Sequence, residues 1–190
     1  MSKKIIIVGG VAGGASTAAR LRRLDENAEI IMFEKGEYIS FANCGLPYYI
    51  GEIIKEREKL IVQTVDEMSN KFNIDIRNLS EVVKIDKENN KITVKNLKNN
   101  EIYEESYDTL VLSPGASPIK PNIHGIEDCE NLYTLRNIPD TDKIKAYVDN
   151  KKPRKAIVIG GGFIGLEMAE NLRERGLDIT LIEAGNQVMA

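Results

Sequence analysis

The sequence predicts an α/β protein with two units of the parallel-sheet type and one antiparallel meander. Two observations carry this prediction. A buried strand, a glycine-rich turn, a helix, a second strand and a terminal acid follow one another twice, in residues 4–34 and in residues 155–183. Between them, residues 74–112 change to short alternating runs separated by asparagine pairs. Continuous β-branched runs are typical of parallel strands buried on both faces, and alternation is typical of antiparallel strands.

Composition and charge exclude several classes of function. The 190 residues include 42% apolar and 29% charged side chains, an ordinary globular composition. The net charge of −3 gives no general attraction to nucleic acid or anionic lipid. No apolar run approaches the roughly 20 residues that cross a bilayer. We therefore expect no nucleic-acid partner and no membrane association.

The cysteines argue against a metal centre. Cys44 and Cys129 stand far apart, in no metal-ligand spacing, and the chain has a single histidine. No metal site is therefore expected. A thiol that must stay reduced suits the cytoplasm, which is the expected location.

The first unit has the order of a dinucleotide-binding fingerprint. The strand Lys4–Val8 leads into the glycine turn of residues 9–14 and a helix, and the next strand ends at Glu34, twenty positions after Gly14. Glycines allow a pyrophosphate to approach the backbone, the helix N-terminus supplies free N–H groups, and the acid accepts hydrogen bonds from ribose hydroxyls. Val11 stands where the second glycine of the GxGxxG pattern would fall. A merely structural glycine turn is the alternative.

The middle of the chain predicts one helix and then the meander. Residues 64–72 form a helical pattern with a capping box between Thr64 and Glu67. After the alternating runs, the buried strand 109–112 breaks at the turn of residues 113–118. This turn is expected to close over the first nucleotide, to mark a domain boundary, or both.

A second fingerprint follows a loop-rich crossing and a helix predicted over residues 140–150. The strand 155–159 leads into Gly160, Gly162 and Gly165, which match GxGxxG, and Glu183 comes eighteen positions after the last of these. A carboxylate at this place accepts from a ribose 2′-hydroxyl and repels a 2′-phosphate, so NADH is favoured over NADPH.

The segment Ser40–Gly51 surrounds Cys44 with small, polar and aromatic residues and few charges. Taken alone, such a cysteine is either a buried structural thiol or a reactive one. We expect Cys44 at the start of a helix over residues 45–50, whose dipole would favour a thiolate.

These motifs together resemble the flavoprotein pyridine nucleotide-disulfide oxidoreductases over essentially the whole chain. The run SFANCGLPYY at residues 40–49 is similar to the single-cysteine branch, and most similar to coenzyme A disulfide reductases. The run YDTLVLSPGA at residues 107–116 is similar to the second FAD motif of that family. The chain also resembles an N-terminal fragment of such a protein, because two strands cannot complete the second sheet. A small two-strand appendage is the alternative.

The resemblance implies the fold in more detail. It implies a Rossmann-like three-layer FAD/NAD(P)-binding domain with an antiparallel meander, plus the start of a second Rossmann unit. The corresponding boundaries are an FAD-binding domain over residues 1–118, a connecting segment over 119–150 and a truncated NAD-binding domain over 151–190. The parent enzyme is expected to be a homodimer.

The resemblance also implies an activity. It implies an FAD-dependent, NADH-linked reductase of coenzyme A disulfide or a related per- or polysulfide, with Cys44 as the catalytic residue that forms a mixed disulfide with coenzyme A. Glutathione-reductase-like relatives carry a second cysteine close to the position of Ser40, and NADH peroxidases and oxidases carry a histidine at the position of Ala12. An NADH oxidase or peroxidase that uses a cysteine sulfenic acid remains the alternative enzyme. A non-catalytic nucleotide-binding fragment is a third possibility, and the isolated chain is expected to be inactive.

The site residues carried over from the resemblance fall into two sets. The predicted cofactor-binding residues are Gly9, Gly10, Val11, Ala12, Gly13, Gly14, Glu34, Lys35, Val83, Ser113, Pro114, Gly115, Gly160, Gly162, Gly165 and Glu183. The residues predicted to contact coenzyme A are Ser16, Arg20, Arg23, Ser40 and Asn43. Arg20 and Arg23 share a helix face that suits a phosphate-rich substrate, although a solvated basic surface has the same pattern.

Overall fold

The computed structural model describes residues 2–189, and these form two compact units. The first comprises the chain up to Phe41 together with Ile61–Ala116, and the second comprises Ala42–Leu60 together with the chain from Ser117 on. Residues 42–60, which the predicted boundaries include in the first domain, therefore group with the C-terminal part of the chain. The domain boundaries themselves remain predictions.

The regular elements follow the predicted order closely. In chain order they are β1 (Lys4–Val8), α1 (Ala12–Leu24), β2 (Glu29–Phe33), α2 (Leu46–Ile50), α3 (Val65–Phe72), β3 (Asp75–Arg77), β4 (Ser80–Asp86), β5 (Lys91–Asn96), β6 (Ile102–Ser106), β7 (Thr109–Leu112), α4 (Ile138–Lys151), β8 (Lys155–Ile159), α5 (Phe163–Glu174) and β9 (Asp178–Ile182). Short 3₁₀ helices cover Asn43–Gly45, Arg57–Leu60 and Ile126–Asp128. Within the described residues, every helix is too short or too polar to cross a bilayer.

The first unit has three layers. A parallel sheet with strand order β3-β2-β1-β7 lies in the middle. One face packs against α1 and α3 through a core that includes Ile5, Ile7 and Met68. The other face, with Ile6 and Phe33, packs against Val94 and its neighbours in the antiparallel meander β4-β5-β6. The predicted three-layer α/β fold with a meander is confirmed.

One strand of this unit was missed. β3 was expected to lie among the alternating runs of the meander, but it pairs in parallel with β2 at the edge of the first sheet. Its three residues are Asp75, Ile76 and Arg77. A strand this short carries neither a continuous apolar run nor a full alternation, so its pattern could not indicate which sheet it joins.

Ion pairs join the meander to the parallel sheet. Glu105 on β6 pairs with Lys4 on β1 and with Arg77 on β3. Burial alone would raise the pKa of Glu105, but the hydrogen bonds from Lys4 and Arg77 outweigh it and hold this pKa below its usual range. Because its side chain is only 17% exposed, the Glu105 carboxylate contributes stability only while it stays charged and paired.

The second unit contains the parallel pair β8–β9, with α5 between them in the chain. Its core brings Ile50 of α2 together with Ile144 and Val148 of α4 and Leu172 of α5. The start of a second Rossmann unit is thus confirmed. The helix predicted over residues 45–50 is instead a 3₁₀ turn at Asn43–Gly45 followed by the five-residue α2.

The helix ends show the predicted capping chemistry, with small shifts in position. Thr64 and Glu67 form the predicted capping box at α3. Helix α4 begins at Ile138, two residues before the prediction, because the Asn137 side chain accepts from Asp140 N and so caps it. Gly176, which follows the C-cap residue of α5, has a φ of +84°, the left-handed conformation that favours glycine.

Candidate nucleotide and thiol sites

The first glycine turn brings α1 hard against the end of β1. Gly9 has a φ of +98°, and a Cβ there would lie 2.0 Å from Ser113 O. A Cβ at Gly14 would lie 1.7 Å from Gly9 O. Both positions therefore require glycine, and the close approach aims the first turn of α1 along the end of the strand.

The carboxylate of Glu34 lies on this turn. Gly10 N donates to its Oε2 at 2.7 Å, and Gly36 N donates to its Oε1 at 2.6 Å. The start of β4 is fixed beside it, because Ser80 N donates to Glu34 O at 2.9 Å. Lys35 is tied to the same strand through an ion pair at 2.8 Å with Glu81.

Two more predicted positions of the first unit can be located. Val83 lies where a β-bulge interrupts the pairing of β4 with β5, and it is 51% exposed. The turn that starts at Ser113 begins beside the glycine turn, because Ser113 N donates to Val8 O at 2.8 Å and its Oγ lies 3.2 Å from a Cβ built on Gly13. Pro114 and Gly115 follow on the surface.

The second glycine turn repeats this geometry within the second unit. Gly160 has a φ of +106°, and a Cβ at Gly165 would lie 1.9 Å from Gly160 O. Glu183 accepts from Gly161 N at 2.6 Å and from Gly185 N at 2.8 Å. The N–H groups of Gly185 and Gly161 hold the pKa of the Glu183 carboxyl below its usual range.

The helices behind the two turns lack side-chain caps. Val11 and Gly162 stand at the N-cap positions of α1 and α5, and neither helix has a side-chain cap hydrogen bond, unlike α3 and α4. The N–H groups of a first turn need partners from outside the helix. A pyrophosphate would supply them at the positive end of the helix dipole. The residues present thus fit the pyrophosphate of a dinucleotide at each turn, such as FAD or a nicotinamide dinucleotide.

Cys44 is a free and exposed thiol. It is the middle residue of the 3₁₀ turn Asn43–Gly45, and Gly45 is buried beneath it. The buried structural interpretation of this cysteine is therefore wrong. Cys129 is also free and exposed, with its Sγ 3.6 Å from Gly125 O.

A groove of about 370 Å³ runs along α1 in the first unit. Ser16 and Ser40, predicted to contact coenzyme A, line it. Val11 and Ala12, predicted to bind the cofactor, also line it, and so do residues that the sequence did not indicate, notably Gln63, Lys71 and Phe72. Helices α1 and α3 form two of its walls, and residues 40–41 and 62–63 line it as well. These helices are tied together because Arg22 donates to Phe72 O at 2.8 Å.

Lys71 brings a positive charge to the groove, with its Nζ 5.4 Å from the centroid of the Phe72 ring. The Arg23 guanidinium lies 5.9 Å from the same centroid. Arg20 and Arg23 are exposed on α1 but do not line the groove, and Asn43 belongs to the second unit. The sequence predicted α3 but not its packing on α1, so Lys71 could not be assigned to this groove.

Comparison with known proteins gives a consistent family. A model of the family described as pyridine nucleotide-disulphide oxidoreductase matches residues 3–190. The chain is 46% identical over 185 residues to the coenzyme A disulfide reductase of Staphylococcus epidermidis, which covers 97% of this chain. The chain spans 41% of the length of that relative.

Solved structures agree. The chain superimposes on the reduced CoADR-RHD of Bacillus anthracis with a TM-score of 0.97 at 70% identity, covering 100% of this chain and 34% of that one. For a NAD-dependent persulfide reductase from A. fulgidus the TM-score is 0.91 at 36% identity, covering 97% and 34%. For the water-forming NADH oxidase of Lactobacillus brevis it is 0.87 at 32% identity, covering 99% and 41%.

Proposed function

Because the chain belongs to the pyridine nucleotide-disulphide oxidoreductase family, we propose that its residues serve an FAD-dependent, NADH-linked reductase of coenzyme A disulfide or a related per- or polysulfide. The names of the relatives support this substrate class, since they are coenzyme A disulfide reductases and a persulfide reductase. The proposal concerns the chemistry of these residues. Turnover by this chain alone is not part of it.

The observation that carries the proposal is the exposed thiol of Cys44 in a segment without a second cysteine. Ser40, four positions before Cys44, carries a hydroxyl and cannot form a disulfide with it. A disulfide at Cys44 therefore needs a sulfur from outside this segment. A low-molecular-weight disulfide supplies one.

The chemistry at Cys44 is thiol–disulfide exchange. The Cys44 thiolate attacks one sulfur of the substrate, a mixed disulfide forms, and the other half leaves as a thiolate. Gly9–Gly14 would hold FAD, which would supply, at the expense of NADH, the two electrons that cleave the mixed disulfide, return Cys44 to the thiolate and release the second thiol. The chain's own contribution is to bind the nucleotides at Gly9–Gly14 and at Gly160–Gly165, and to present the sulfur to solvent.

The groove along α1 is proposed to bind the coenzyme A moiety. Its small and apolar wall suits the pantetheine arm, and the hydroxyls of Ser16 and Ser40 can hydrogen-bond to the amides of that arm. Arg23 and Lys71 supply positive charge for the phosphates. Arg20 and Asn43 are assigned to the same ligand on the resemblance alone.

The second site is proposed to prefer NADH. Glu183 stays ionised near neutral pH, because the donors that lower its pKa are backbone N–H groups of its own turn. A carboxylate there accepts from a ribose 2′-hydroxyl and repels a 2′-phosphate. On the resemblance, we further propose that the protein acts as a cytoplasmic homodimer.

The match to a water-forming NADH oxidase supports a second candidate. This candidate is an oxidase or peroxidase that works through a sulfenic acid on Cys44. Ala12 lines the groove with a methyl group, which offers no acid–base partner to such chemistry. A nucleotide-binding role without turnover is the remaining alternative.

The test is a mass measurement on the purified chain. Cys129→Ser and Cys44→Ser variants are mixed with coenzyme A disulfide, and the intact mass is followed with time. We expect one coenzyme A adduct on the chain that keeps Cys44 and slow or no reaction on the chain that keeps only Cys129. An equal rate at the two cysteines would refute the proposal, because Cys129 then serves as well as Cys44.

A further inference from the structure

The segment that follows Cys44 is too short to hold its own shape. Helix α2 comprises only Leu46–Ile50, and a helix of one turn is not stable alone in water. It continues directly from the turn that contains Cys44, since Leu46 N donates to Asn43 O in that turn and Gly45 N donates to Ala42 O just before it. The placement of Cys44 within the second unit therefore depends on what holds α2.

Arg175, directly after α5, closes the C-terminal end of α2. Its Nη1 donates to Ile50 O, the last carbonyl of α2, at 2.9 Å, and its Nη2 donates to Asp149 at 2.6 Å. The Arg175 side chain is 17% exposed, so both bonds are largely shielded from water. A cation at the last carbonyl also suits the negative end of a helix. Arg175 is thus a cap supplied by another helix.

The next residue of the segment fits against α5. A Cβ at Gly51 would lie 2.1 Å from Asn171 Oδ1. Asn171 is fully buried, and its Oδ1 is the buried side-chain atom that has no hydrogen-bond partner among residues 2–189. Its Nδ2 donates to Glu167 O at 2.8 Å, which turns the oxygen toward Gly51. Only glycine fits this contact, so it fixes where α2 sits along α5.

Helix α4 holds the same segment from its other side. Lys145 Nζ lies 3.2 Å from a carboxylate oxygen of Glu52, 3.1 Å from one of Asp149 and 5.3 Å from the centroid of the Tyr49 ring. The same Asp149 carboxylate that orients Arg175 therefore also orients Lys145. Arg175, Asp149, Lys145 and Glu52 thus form one charged cluster around the C-terminal end of α2.

We propose that Arg175 is a positioning residue for Cys44, and that the contact between Asn171 and Gly51 sets its register. This inference rests on the proposed function, in which Cys44 exchanges with a disulfide. Helix α5 begins at the turn of Gly160–Gly165. One helix thus serves the nicotinamide nucleotide at its N-terminal end and the cysteine segment at its C-terminal end.

The test uses the Cys129→Ser chain, so that Cys44 is the reporting thiol. Its exchange with coenzyme A disulfide is measured against disulfide concentration by intact mass. Arg175→Met is expected to lower the maximal rate by about fivefold with the half-saturating concentration unchanged, because the lost cap misplaces the sulfur and leaves the groove intact. Arg175→Lys keeps one charged donor and is expected to recover most of the rate. The matched control is Arg173→Met, which changes an exposed arginine of α5 two positions earlier. It should leave the rate unchanged.

The outcomes separate this inference from the proposed function. If the Cys129→Ser chain itself does not exchange, the proposed function fails. Positioning is then judged by amide hydrogen exchange over residues 43–51, expected to rise about tenfold in Arg175→Met but not in Arg173→Met. If Arg175→Met exchanges at the parent rate and only its melting temperature falls, Arg175 is merely structural and the inference is overturned. If that variant does not fold, Asp149→Asn, which removes the carboxylate that orients the guanidinium toward Ile50 O, should slow exchange in the same direction, and an unchanged rate overturns the inference.

Discussion

Replacing Gly14 by alanine tests how the first nucleotide turn is built. The new Cβ would lie 1.7 Å from Gly9 O, and real Cβ atoms essentially never come closer than 3.0 Å, so α1 and the turn must separate by about 1.3 Å. Neighbouring Gly13 is the matched control, since a Cβ there meets only the Ser113 side chain, at 3.2 Å from its Oγ. Both changes restrict the unfolded chain equally, and their difference therefore isolates the contact with Gly9.

The expected size follows from overpacking. Forcing atoms into a filled contact costs about 1–3 kcal/mol, which corresponds to a fall of about 2–12 °C in melting temperature for a chain of this length. Gly13→Ala is expected to leave the melting temperature unchanged or slightly higher, because alanine favours the helix.

The assay is thermal unfolding of both variants by circular dichroism, followed by titration with FAD. Gly14→Ala should also weaken FAD binding, because the N–H groups of α1 move away from the place of the pyrophosphate. If the Gly14→Ala chain has the melting temperature and the FAD affinity of the unmutated chain, the reasoning is refuted, because the close contact between Gly14 and Gly9 would then have no consequence.

Three further predictions concern charge. Glu183→Ser should reduce the preference for NADH over NADPH at neutral pH by about tenfold. In the unmutated chain the affinity for NADH itself should stay constant between about pH 5 and 8, because the lowered pKa keeps Glu183 ionised there. Nucleotide titrations at several pH values check both. Glu105→Gln should lower the melting temperature at neutral pH by about 3–10 °C. The pKa of Glu105 is lowered on folding by Lys4 and Arg77, so its contribution is present above the usual value of 4.5 and is lost as the pH falls through the folded value; melting curves of parent and variant should therefore converge in acid, and a constant gap would contradict this. Lys71→Met should weaken coenzyme A binding about threefold at low salt and reduce the dependence of this binding on salt concentration. Calorimetry at two salt concentrations measures both. If the variant shows the same salt dependence as the unmutated chain, Lys71 does not contact the phosphates.

The parts of the fold that repeat a local pattern could be predicted from the sequence. β1 and β8 carry continuous β-branched runs, and each is followed by glycines and an acid at fixed spacing, so both fingerprints were found within a residue or two. The capping box at Thr64 was equally visible, because capping needs only neighbours in the chain. Local rules suffice wherever the partners are close in sequence.

The parts that depend on long-range packing could not be predicted. The contact of Asn171 with Gly51 joins residues that are far apart in the chain, and neither residue type alone indicates a partner. Lys71 reaches the groove only because α3 packs on α1, and the sequence does not indicate this packing. The helix after Cys44 was expected to be one piece, but α2 has so few residues that its course is set by α4 and α5.

The likeness of the two glycine turns has a consequence for ligand choice. Each presents an uncapped helix end, a pair of glycines in contact and a carboxylate held by backbone N–H groups. These groups suit the adenosine diphosphate half that FAD and NADH share, so free ADP and the wrong dinucleotide would compete at both turns. Correct loading must be decided outside the shared pattern, by differences such as Val11 in one turn and Gly162 in the other. A chain with two such turns is therefore more exposed to binding the wrong nucleotide at a turn than to binding the right nucleotide weakly.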